Sequence, residues 1–251
     1  MSEHAVTHAP EWEVSVWPLV LSLGILFLCL AFTFQFVYAS ELWAFICLGA
    51  GTPLTLAGIA GWISEAIGGE HGEGLSTPAM GWFILAEAMI FVSFFANYWY
   101  QRLSADAWPP LGTPEAMPVI IPAIMTVALV TSSFTIHAGE VKLEQGDKAG
   151  FMKWLLITIV LGIAFLAMSG YEWNHLIHQG FIPATNEYST SFYSITGFHG
   201  AHVLVGLGIF IAILLPALSG KLNTAFVKTG SLYWHFVDII WLFVVSQVYY
   251  W

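Results

Sequence analysis

The chain has 251 residues, of which 58% are hydrophobic and only 9% are charged, and its formal net charge is −10. So few charges cannot cover a water-soluble domain of this length, and a mean hydropathy of +0.76 indicates a membrane protein. Only six residues are Lys or Arg, which argues against nucleic acid as a partner because no basic patch is available to neutralise phosphates. Cys29 and Cys47 both fall in apolar segments, so they do not indicate the disulfide framework of a secreted protein.

Seven segments are long and apolar enough to cross a membrane, which takes roughly 20 mostly apolar residues. They cover residues 16–39, 43–66, 80–103, 117–138, 151–174, 191–217 and 232–251. We therefore predict an all-α integral membrane protein with seven transmembrane helices. Its expected parts are a polar N-terminal tail over residues 1–15, a two-helix transmembrane hairpin over 16–67 and a five-helix transmembrane bundle over 80–251.

Gly, Pro and charged residues mark the connections between these segments. Residues 68–78 and 104–115 predict loops. Residues 138–148 fit a helical extension into water that ends at Gly146, and residues 175–190 predict a longer polar connection.

Lysine residues are concentrated on one side of the predicted bundle. The loops after the fourth and sixth segments hold Lys142, Lys148, Lys221 and Lys228, whereas the opposite side has Arg102. The positive-inside rule therefore predicts an N-terminus in the cytoplasm or an organelle matrix and a C-terminus outside.

Glu87 lies about two helical turns into the third segment, within a run of apolar and aromatic residues. A charged carboxylate at this depth is costly, because removal of water disfavours the ionised form, so we expect Glu87 to be neutral at pH 7. Two roles stay open for it. One is a protonated carboxyl group hydrogen-bonded to a neighbouring helix, and the other is a proton-linked or lipid-linked function.

His199 and His202 lie three residues apart on the sixth segment, so they are expected to face one way and meet one partner, with Glu172 as a candidate for His199. His235 and Asp238 repeat this spacing on the seventh segment. We expect His199 in the outer half of the membrane and His235 near the cytoplasmic surface. Because metal and haem ligands must converge on one point, this difference in depth favours interhelical hydrogen bonds over a metal site. We also expect no catalytic site in this chain, since it has none of the common catalytic motifs.

Two motifs, TGFHGAHVLVG over residues 196–206 and YWHFVDIIWLF over residues 233–243, resemble cytochrome c oxidase subunit III very closely. Further stretches agree with the family in order along the chain. They cover residues 17–19, 87–95, 108–110, 131–135 and 144–148. The resemblance extends over nearly the whole chain from the first segment onward.

The resemblance implies a seven-helix subunit of a proton-pumping haem–copper oxidase that reduces oxygen to water. In this family two helices are separated from the other five by a V-shaped cleft that holds phospholipid. Subunit III binds no haem or copper, since these belong to partner subunits, and it supports sustained proton uptake and turnover by subunit I. The implied partners are subunits I and II and phospholipids, with cytochrome c reached only through the complex. The implied location is a bacterial plasma membrane or a mitochondrial inner membrane.

The resemblance also implies roles for single residues. Glu87 matches the buried carboxylate of the family that reacts with carbodiimide. His199, His202 and His235 match interior and lipid-contacting positions rather than a metal centre, and we place Asp238 with them as an interhelical polar residue.

The sequence departs from the family at two places. The segment after the second span usually has an arginine that binds lipid phosphate, but residues 61–74 contain neither Arg nor Lys. We expect Trp62 and His71 to donate to phosphate in its place. The order Tyr171-Glu172 reverses the usual order of Glu and Tyr, so the resemblance gives Glu172 no role.

Three alternatives stay open at this point. The first is subunit III of a quinol oxidase, which is usually shorter by the first two helices. The second is a stand-alone transporter that uses Glu87 as its proton site, although no internal repeat supports it. The third is a membrane protein that binds haem or a metal.

Overall fold

The computed structural model describes residues 15–68, 76–115 and 117–250. The described part forms seven α-helices, followed by a C-terminal π-helical turn over Val245–Tyr250. The helices are α1 (Trp17–Phe36), α2 (Glu41–Gly68), α3 (Ser76–Ser104), α4 (Ile120–Glu144), α5 (Lys148–His178), α6 (Glu187–Leu218) and α7 (Thr224–Val244). Each contains a stretch long and apolar enough to cross a membrane, which confirms the seven predicted spans.

The ends of two helices differ from the predicted segments. The helix α5 continues to His178 and α6 begins at Glu187, so the predicted polar connection over residues 175–190 is reduced to residues 179–186. The early start of α6 has a local cause. The Asn186 side chain accepts a hydrogen bond from the backbone N–H of Ser189, and the Ser189 side chain accepts one from the Asn186 backbone. This capping box satisfies two N–H groups that the first turn would leave unpaired.

The helices α4 and α7 are both longer than the apolar segments from which they were predicted. The extra turns lie at the C-terminal end of α4 and at the N-terminal end of α7. As expected, α4 runs to Glu144 and the chain turns at Gly146, which has a φ of +78°. The helix α7 already begins at Thr224, where the Asn223 side chain accepts a hydrogen bond from Phe226 N. An asparagine at this position is one of the strongest signals for a helix start.

The chain divides by its contacts into two compact units, one containing α1 and α2 and the other containing the remaining helices. In the first unit α1 and α2 pack antiparallel at backbone contact. A Cβ atom on Gly24 would lie 2.5 Å from Thr55 N, and one on Gly58 would lie 2.7 Å from Leu21 N. Only glycine fits at such distances, as is typical of closely packed helices in membranes.

The second unit contains α3 to α7, with α7 in contact with α3, α4 and α6. The Trp234 and Trp241 side chains of α7 are fully buried. Glycines on two neighbouring helices make room for Trp234, because a Cβ atom on Gly206 would lie 2.6 Å from its ring and one on Gly162 would lie 2.8 Å from it. The core of this unit is therefore built around the aromatic face of α7.

Basic residues mark the two ends of this second unit differently. The Lys228 Nζ atom lies 3.2 Å from Glu144 Oε1, so the connections α4–α5 and α6–α7 lie at one end. At the other end the Tyr98 hydroxyl donates to the carbonyl oxygen of Gln247, next to Arg102, whose guanidinium lies 5.8 Å from the Trp108 ring centroid. Lysines and the arginine thus lie at opposite ends, whereas the side of the membrane that each end faces stays a prediction.

Candidate functional site

Glu87 of α3 and His202 of α6 form a polar pair inside the five-helix unit. The Glu87 Oε2 atom lies 3.1 Å from His202 Nε2, and the two side chains are 20% and 9% exposed. Aromatic rings surround the imidazole, since its centroid lies 4.6 Å from that of Phe198 and 5.1 Å from that of Phe91. The histidine gives Glu87 the hydrogen-bond partner that a carboxyl group needs in such apolar surroundings.

The contacts of His202 define two possible arrangements of the proton that joins it to Glu87. His202 Nδ1 lies 2.8 Å from the carbonyl oxygen of Phe198, and a carbonyl oxygen only accepts, so Nδ1 carries a hydrogen. The contact with Glu87 then contains one further proton. Either a carboxylic acid O–H donates to neutral imidazole, or an imidazolium N–H donates to a carboxylate. The pair has no net charge in either arrangement.

His199 does not share a partner with His202. Its ring is fully buried, 5.1 Å from Trp241 and 5.6 Å from Phe165 between centroids. Neither ring nitrogen has a hydrogen-bond partner among the described residues. The prediction that both histidines meet one partner is therefore wrong. Residues three apart on a helix differ in direction by about 60°, and here this turn directs His202 towards α3 and His199 towards α5 and α7.

His235 and Asp238 of α7 face α4. The Ser133 Oγ atom lies 2.7 Å from His235 Nδ1. Asp238 is 5% exposed, and its carboxyl group lies next to the Ser133 hydroxyl. All three side chains line a groove of about 400 Å³ between α4 and α7.

The two polar pairs are only partly separated along the helices. The His199 ring packs on Trp241, six residues beyond His235 on α7, whereas His202 lies nearer the level of His235, and the depth of both pairs in the membrane stays a prediction. Because α7 begins at Thr224, His235 lies roughly 16 Å along the helix at 1.5 Å per residue, well away from its end. The Tyr233 hydroxyl donates to the backbone carbonyl of His202 at 3.3 Å, so the polar residues of α6 and α7 lie at overlapping levels. The pairs also differ in direction, since Glu87 and His202 join α3 to α6 whereas His235 faces α4. No three His, Cys, Asp or Glu side chains in the described ranges are grouped as a metal site requires.

Glu172 of α5 contacts the C-terminal turn, and the suggested hydrogen bond with His199 does not form, since neither ring nitrogen of His199 has a partner among the described residues. The Tyr249 hydroxyl donates to Glu172 Oε2 at 2.6 Å, and Glu172 is fully buried. The Tyr188 hydroxyl donates to a backbone carbonyl of the same turn at 2.8 Å. These bonds attach the π-helical turn to α5 and α6. No sequence signal marks Tyr249 for this role, because one tyrosine near a C-terminus forms no pattern.

The residues expected to bind phosphate are only partly within the described ranges. Trp62 lies near the C-terminal end of α2, and 48% of it is exposed. Tryptophan suits the boundary between membrane and water, where its ring meets hydrocarbon and its N–H meets polar groups. His71 lies outside the described residues. Lipid binding at both positions stays a prediction.

Seven apolar helices and buried polar contacts between them define an integral membrane protein of the all-α class. The family model of cytochrome c oxidase subunit III matches residues 11–251, and the chain therefore belongs to this family, as the motifs on α6 and α7 predicted. Membership makes it a subunit of an oxidoreductase complex, with other oxidase subunits as its partners.

Individual relatives match the chain to different extents. The cytochrome c oxidase subunit 3 of Synechocystis sp. is 39% identical over 171 residues, which cover 66% of this chain and 72% of the relative. A probable cytochrome c oxidase subunit 3 of Nocardia farcinica is 38% identical over 169 residues, or 66% of this chain and 82% of the relative. The subunit 3 of Allomyces macrogynus is 31% identical over 257 residues and covers 95% of this chain and 91% of its own length.

Proposed function

We propose that this chain is the non-catalytic subunit III of a proton-pumping haem–copper terminal oxidase that oxidises cytochrome c and reduces oxygen to water. The observation that carries this proposal is the family match over residues 11–251, which includes both motifs of the α6–α7 core. Haem and copper are bound by partner subunits I and II, and this chain binds neither. Cytochrome c meets the chain only as part of the assembled complex.

The described polar contacts in the five-helix unit favour a supporting role over redox chemistry. Each contact joins side chains of different helices, or of a helix and the C-terminal turn: Glu87 with His202, Ser133 with His235, and Glu172 with Tyr249. Interhelical hydrogen bonds of this kind stabilise a membrane bundle by about 0.6–2 kcal/mol each. A bundle held in this way supports assembly of subunit I and its sustained uptake of protons during turnover.

Phospholipid is part of the same proposal. The helices α1 and α2 expose large apolar side chains, among them Leu19, Phe32 and Phe45 at 63%, 64% and 68%. Such side chains pack against acyl chains as favourably as against other apolar residues. The chain then lies in a bacterial plasma membrane or a mitochondrial inner membrane, with its N-terminus inside.

Purification of the tagged chain after extraction in mild detergent tests this function. We expect it to bring down a larger subunit, a Soret absorption band, copper and retained phospholipid, and the preparation should consume oxygen with reduced cytochrome c. The matched control is the isolated chain, stripped from the complex, which should retain neither the Soret band nor copper.

Three results would contradict the proposal. Recovery of the chain without any oxidase subunit would refute its role in the complex, and a Soret band in the isolated chain would make it a haem protein. A preparation that oxidises quinol but not cytochrome c would identify the quinol oxidase alternative.

Removal of the chain from the complex should leave the initial rate of oxygen consumption intact and shorten the time over which that rate is sustained.

A further inference from the structure

Polar residues line the facing sides of α4 and α7 at regular intervals. On both helices they recur after three or four residues, so they lie on one side of each helix. They are Ser133, His137, Glu140 and Glu144 on α4, and Lys228, Ser231, His235 and Asp238 on α7. The two helices run in opposite directions, because Glu144 near the end of α4 contacts Lys228 near the start of α7.

The end of the five-helix unit that carries the lysines, called the lysine end below, holds the ionisable groups nearest to water. The side chains of Lys228 and Glu144 are both more than half exposed, and they form an ion pair of 3.2 Å. One turn deeper, the partly exposed Glu140 carboxyl group lies 3.8 Å from Nδ1 of His137. Glu140 and His137 are therefore the first groups that meet protons arriving from this end.

A continuous series of contacts leads from Glu140 to Asp238. The Glu140 carboxyl group lies next to the Ser231 hydroxyl, and Ser231 Oγ lies 3.5 Å from His235 Nε2. On the other side of the imidazole, His235 Nδ1 lies 2.7 Å from Ser133 Oγ. The Ser133 hydroxyl in turn lies next to the Asp238 carboxyl group. Two hydroxyl groups and one imidazole thus join the two carboxyl groups, and we call these five residues the polar series.

Asp238 lies deep in the spanning part of α7. It follows the start of the helix at Thr224 by roughly 21 Å, at 1.5 Å per residue. The polar series covers the seven-residue step from Glu140 to Ser133 on α4, which is roughly 10 Å on the same scale. Asp238 is almost completely buried, so a proton reaches its carboxyl group only through neighbouring polar groups.

Every member of the polar series can pass a proton on. A hydroxyl group accepts one hydrogen and donates its own, and an imidazole binds a proton at one nitrogen while it releases the proton of the other. A proton that leaves Glu140 is accepted by Ser231 Oγ, whose own hydrogen passes to His235 Nε2. The imidazolium gives its Nδ1 proton to Ser133 Oγ, and the Ser133 hydrogen passes to the Asp238 carboxylate. Glu140 has then lost one proton and Asp238 has gained one, and the hydroxyl groups and the ring reorient before the next transfer.

Other buried hydroxyl groups of the bundle form contacts of a different kind. The Trp234 indole donates to Ser132 Oγ at 2.8 Å, and the Thr135 and Thr158 hydroxyls lie 2.8 Å apart. None of these side chains takes up a proton near neutral pH, so their contacts only hold helices together. The polar series instead has a carboxyl group at each end and an imidazole between them, and ionisable side chains of this kind within spans mark proton relays.

We propose that the polar series conducts protons between water at the lysine end and the carboxyl group of Asp238. Glu140, with His137 beside it, takes up the proton, and Ser231, His235 and Ser133 relay it. This inference goes beyond the proposed function, because it assigns to this chain a proton path of its own. It holds whichever subunits surround the bundle.

Infrared spectroscopy of the purified complex measures proton exchange at Asp238. The C=O stretch of a protonated carboxyl group shifts when deuterium replaces its proton, and the band of Asp238 is the one that Asp238→Asn removes. The complex is transferred from H2O to D2O at a pH at which this band is present, and the rate of the shift is recorded.

Two variants interrupt the polar series at different points. Ser231→Ala removes the hydroxyl between Glu140 and His235, and Glu140→Gln replaces the first carboxyl group with an amide that takes up no proton. We expect each variant to slow the exchange at Asp238 several-fold. The matched control is Thr229→Ala, because the Thr229 hydroxyl donates to the Ala225 carbonyl oxygen outside the polar series, and its exchange rate should equal that of the unchanged chain.

Thermal unfolding verifies that each variant complex is intact. Because Glu140 is partly exposed, its Gln variant keeps the test decisive if Ser231→Ala does not assemble. An unchanged exchange rate in either intact variant overturns the path, and so does equal slowing in Thr229→Ala. If Asp238→Asn removes no C=O band at any pH at which the complex stays intact, Asp238 takes up no proton and the proposal fails. None of these results changes which subunits co-purify with the chain, so each leaves the proposed function standing.

Discussion

The carboxyl group of Glu87 and the imidazole of His202 show how a titratable group can be placed among aromatic rings inside a membrane protein. They share one hydrogen bond of 3.1 Å. Because Nδ1 of His202 donates to the Phe198 carbonyl oxygen, the contact between Nε2 and the carboxyl group contains one proton, which belongs either to the carboxylic acid or to the imidazolium. A carboxyl group and an imidazole that share one proton carry no net charge together, and hydrocarbon surroundings penalise such a pair far less than a single ion. That Glu87 itself is neutral at pH 7 stays a prediction, and the structure identifies His202 as its hydrogen-bond partner.

Replacement of Glu87 distinguishes a structural role from a proton-transfer role. In Glu87→Gln the side-chain amide can donate to His202 Nε2, so we expect normal assembly and oxygen consumption together with loss of labelling by hydrophobic carbodiimide. In Glu87→Leu the buried imidazole nitrogen loses its partner, which should destabilise the protein by about 1–3 kcal/mol. Thermal unfolding of the purified complex measures this difference. A Gln variant that assembles fully but has lost most of its oxidase activity would place Glu87 in a proton-transfer pathway.

At the level of the helices, hydropathy alone predicted the seven spans and the apolar surroundings of Glu87. It failed where local hydrogen bonds extend a helix beyond its apolar stretch. The first turns of α7 contain Lys228 and few large apolar residues, yet Asn223 caps this helix and Lys228 pairs with Glu144. The Asn223 cap is a local signal that hydropathy does not register, whereas the Glu144 partner of Lys228 lies close only after folding.

The rotation of each helix about its axis was the second source of error. The three-residue spacing of His199 and His202 can be read from the sequence, but only packing decides which helix each side of α6 faces. A rotation of about 60° separates the Glu87 side from the Trp241 side, so one histidine forms a polar pair and the other lies among rings. The Ser133–His235 and Glu172–Tyr249 contacts were missed for the same reason.

Two glycines on α6 provide a test of the packing around Trp234. A Cβ atom on Gly206 would lie 2.6 Å from the Trp234 ring, whereas one on Gly208 would meet nothing within 4 Å. We expect Gly206→Ala to lower the free energy of unfolding by about 1–3 kcal/mol, because overpacking forces side chains out of position. Gly208→Ala, only two residues away, should be neutral or slightly stabilising, since alanine favours the helix. Unfolding in mixed micelles measures both changes, and equal stability of the two variants would contradict the packing described here.

For the whole molecule, the distribution of charge distinguishes one end of the five-helix unit from the other. The contact of Lys228 with Glu144 brings the connections α4–α5 and α6–α7 to one end, and the lysines lie in or near these connections. Arg102 lies near the C-terminal end of α3, at the opposite end. Membrane insertion retains Lys and Arg on the cytoplasmic side, so this asymmetry predicts the orientation of the entire subunit from five lysines and one arginine.

Cysteine labelling in intact cells tests this orientation. Gln145→Cys lies in the exposed α4–α5 connection at the lysine end, and Asp106→Cys lies in the exposed segment after α3 at the other end. With the lysine end inside, a maleimide that cannot cross membranes should label position 106 in intact spheroplasts and position 145 only after permeabilisation. The unchanged chain controls for background, because Cys29 and Cys47 both lie within spans. Both substitutions are at exposed connections, so neither should alter folding, and the comparison depends on access alone. Labelling of position 145 in sealed spheroplasts, with position 106 protected, would reverse the orientation and show that six basic residues are too few to set it.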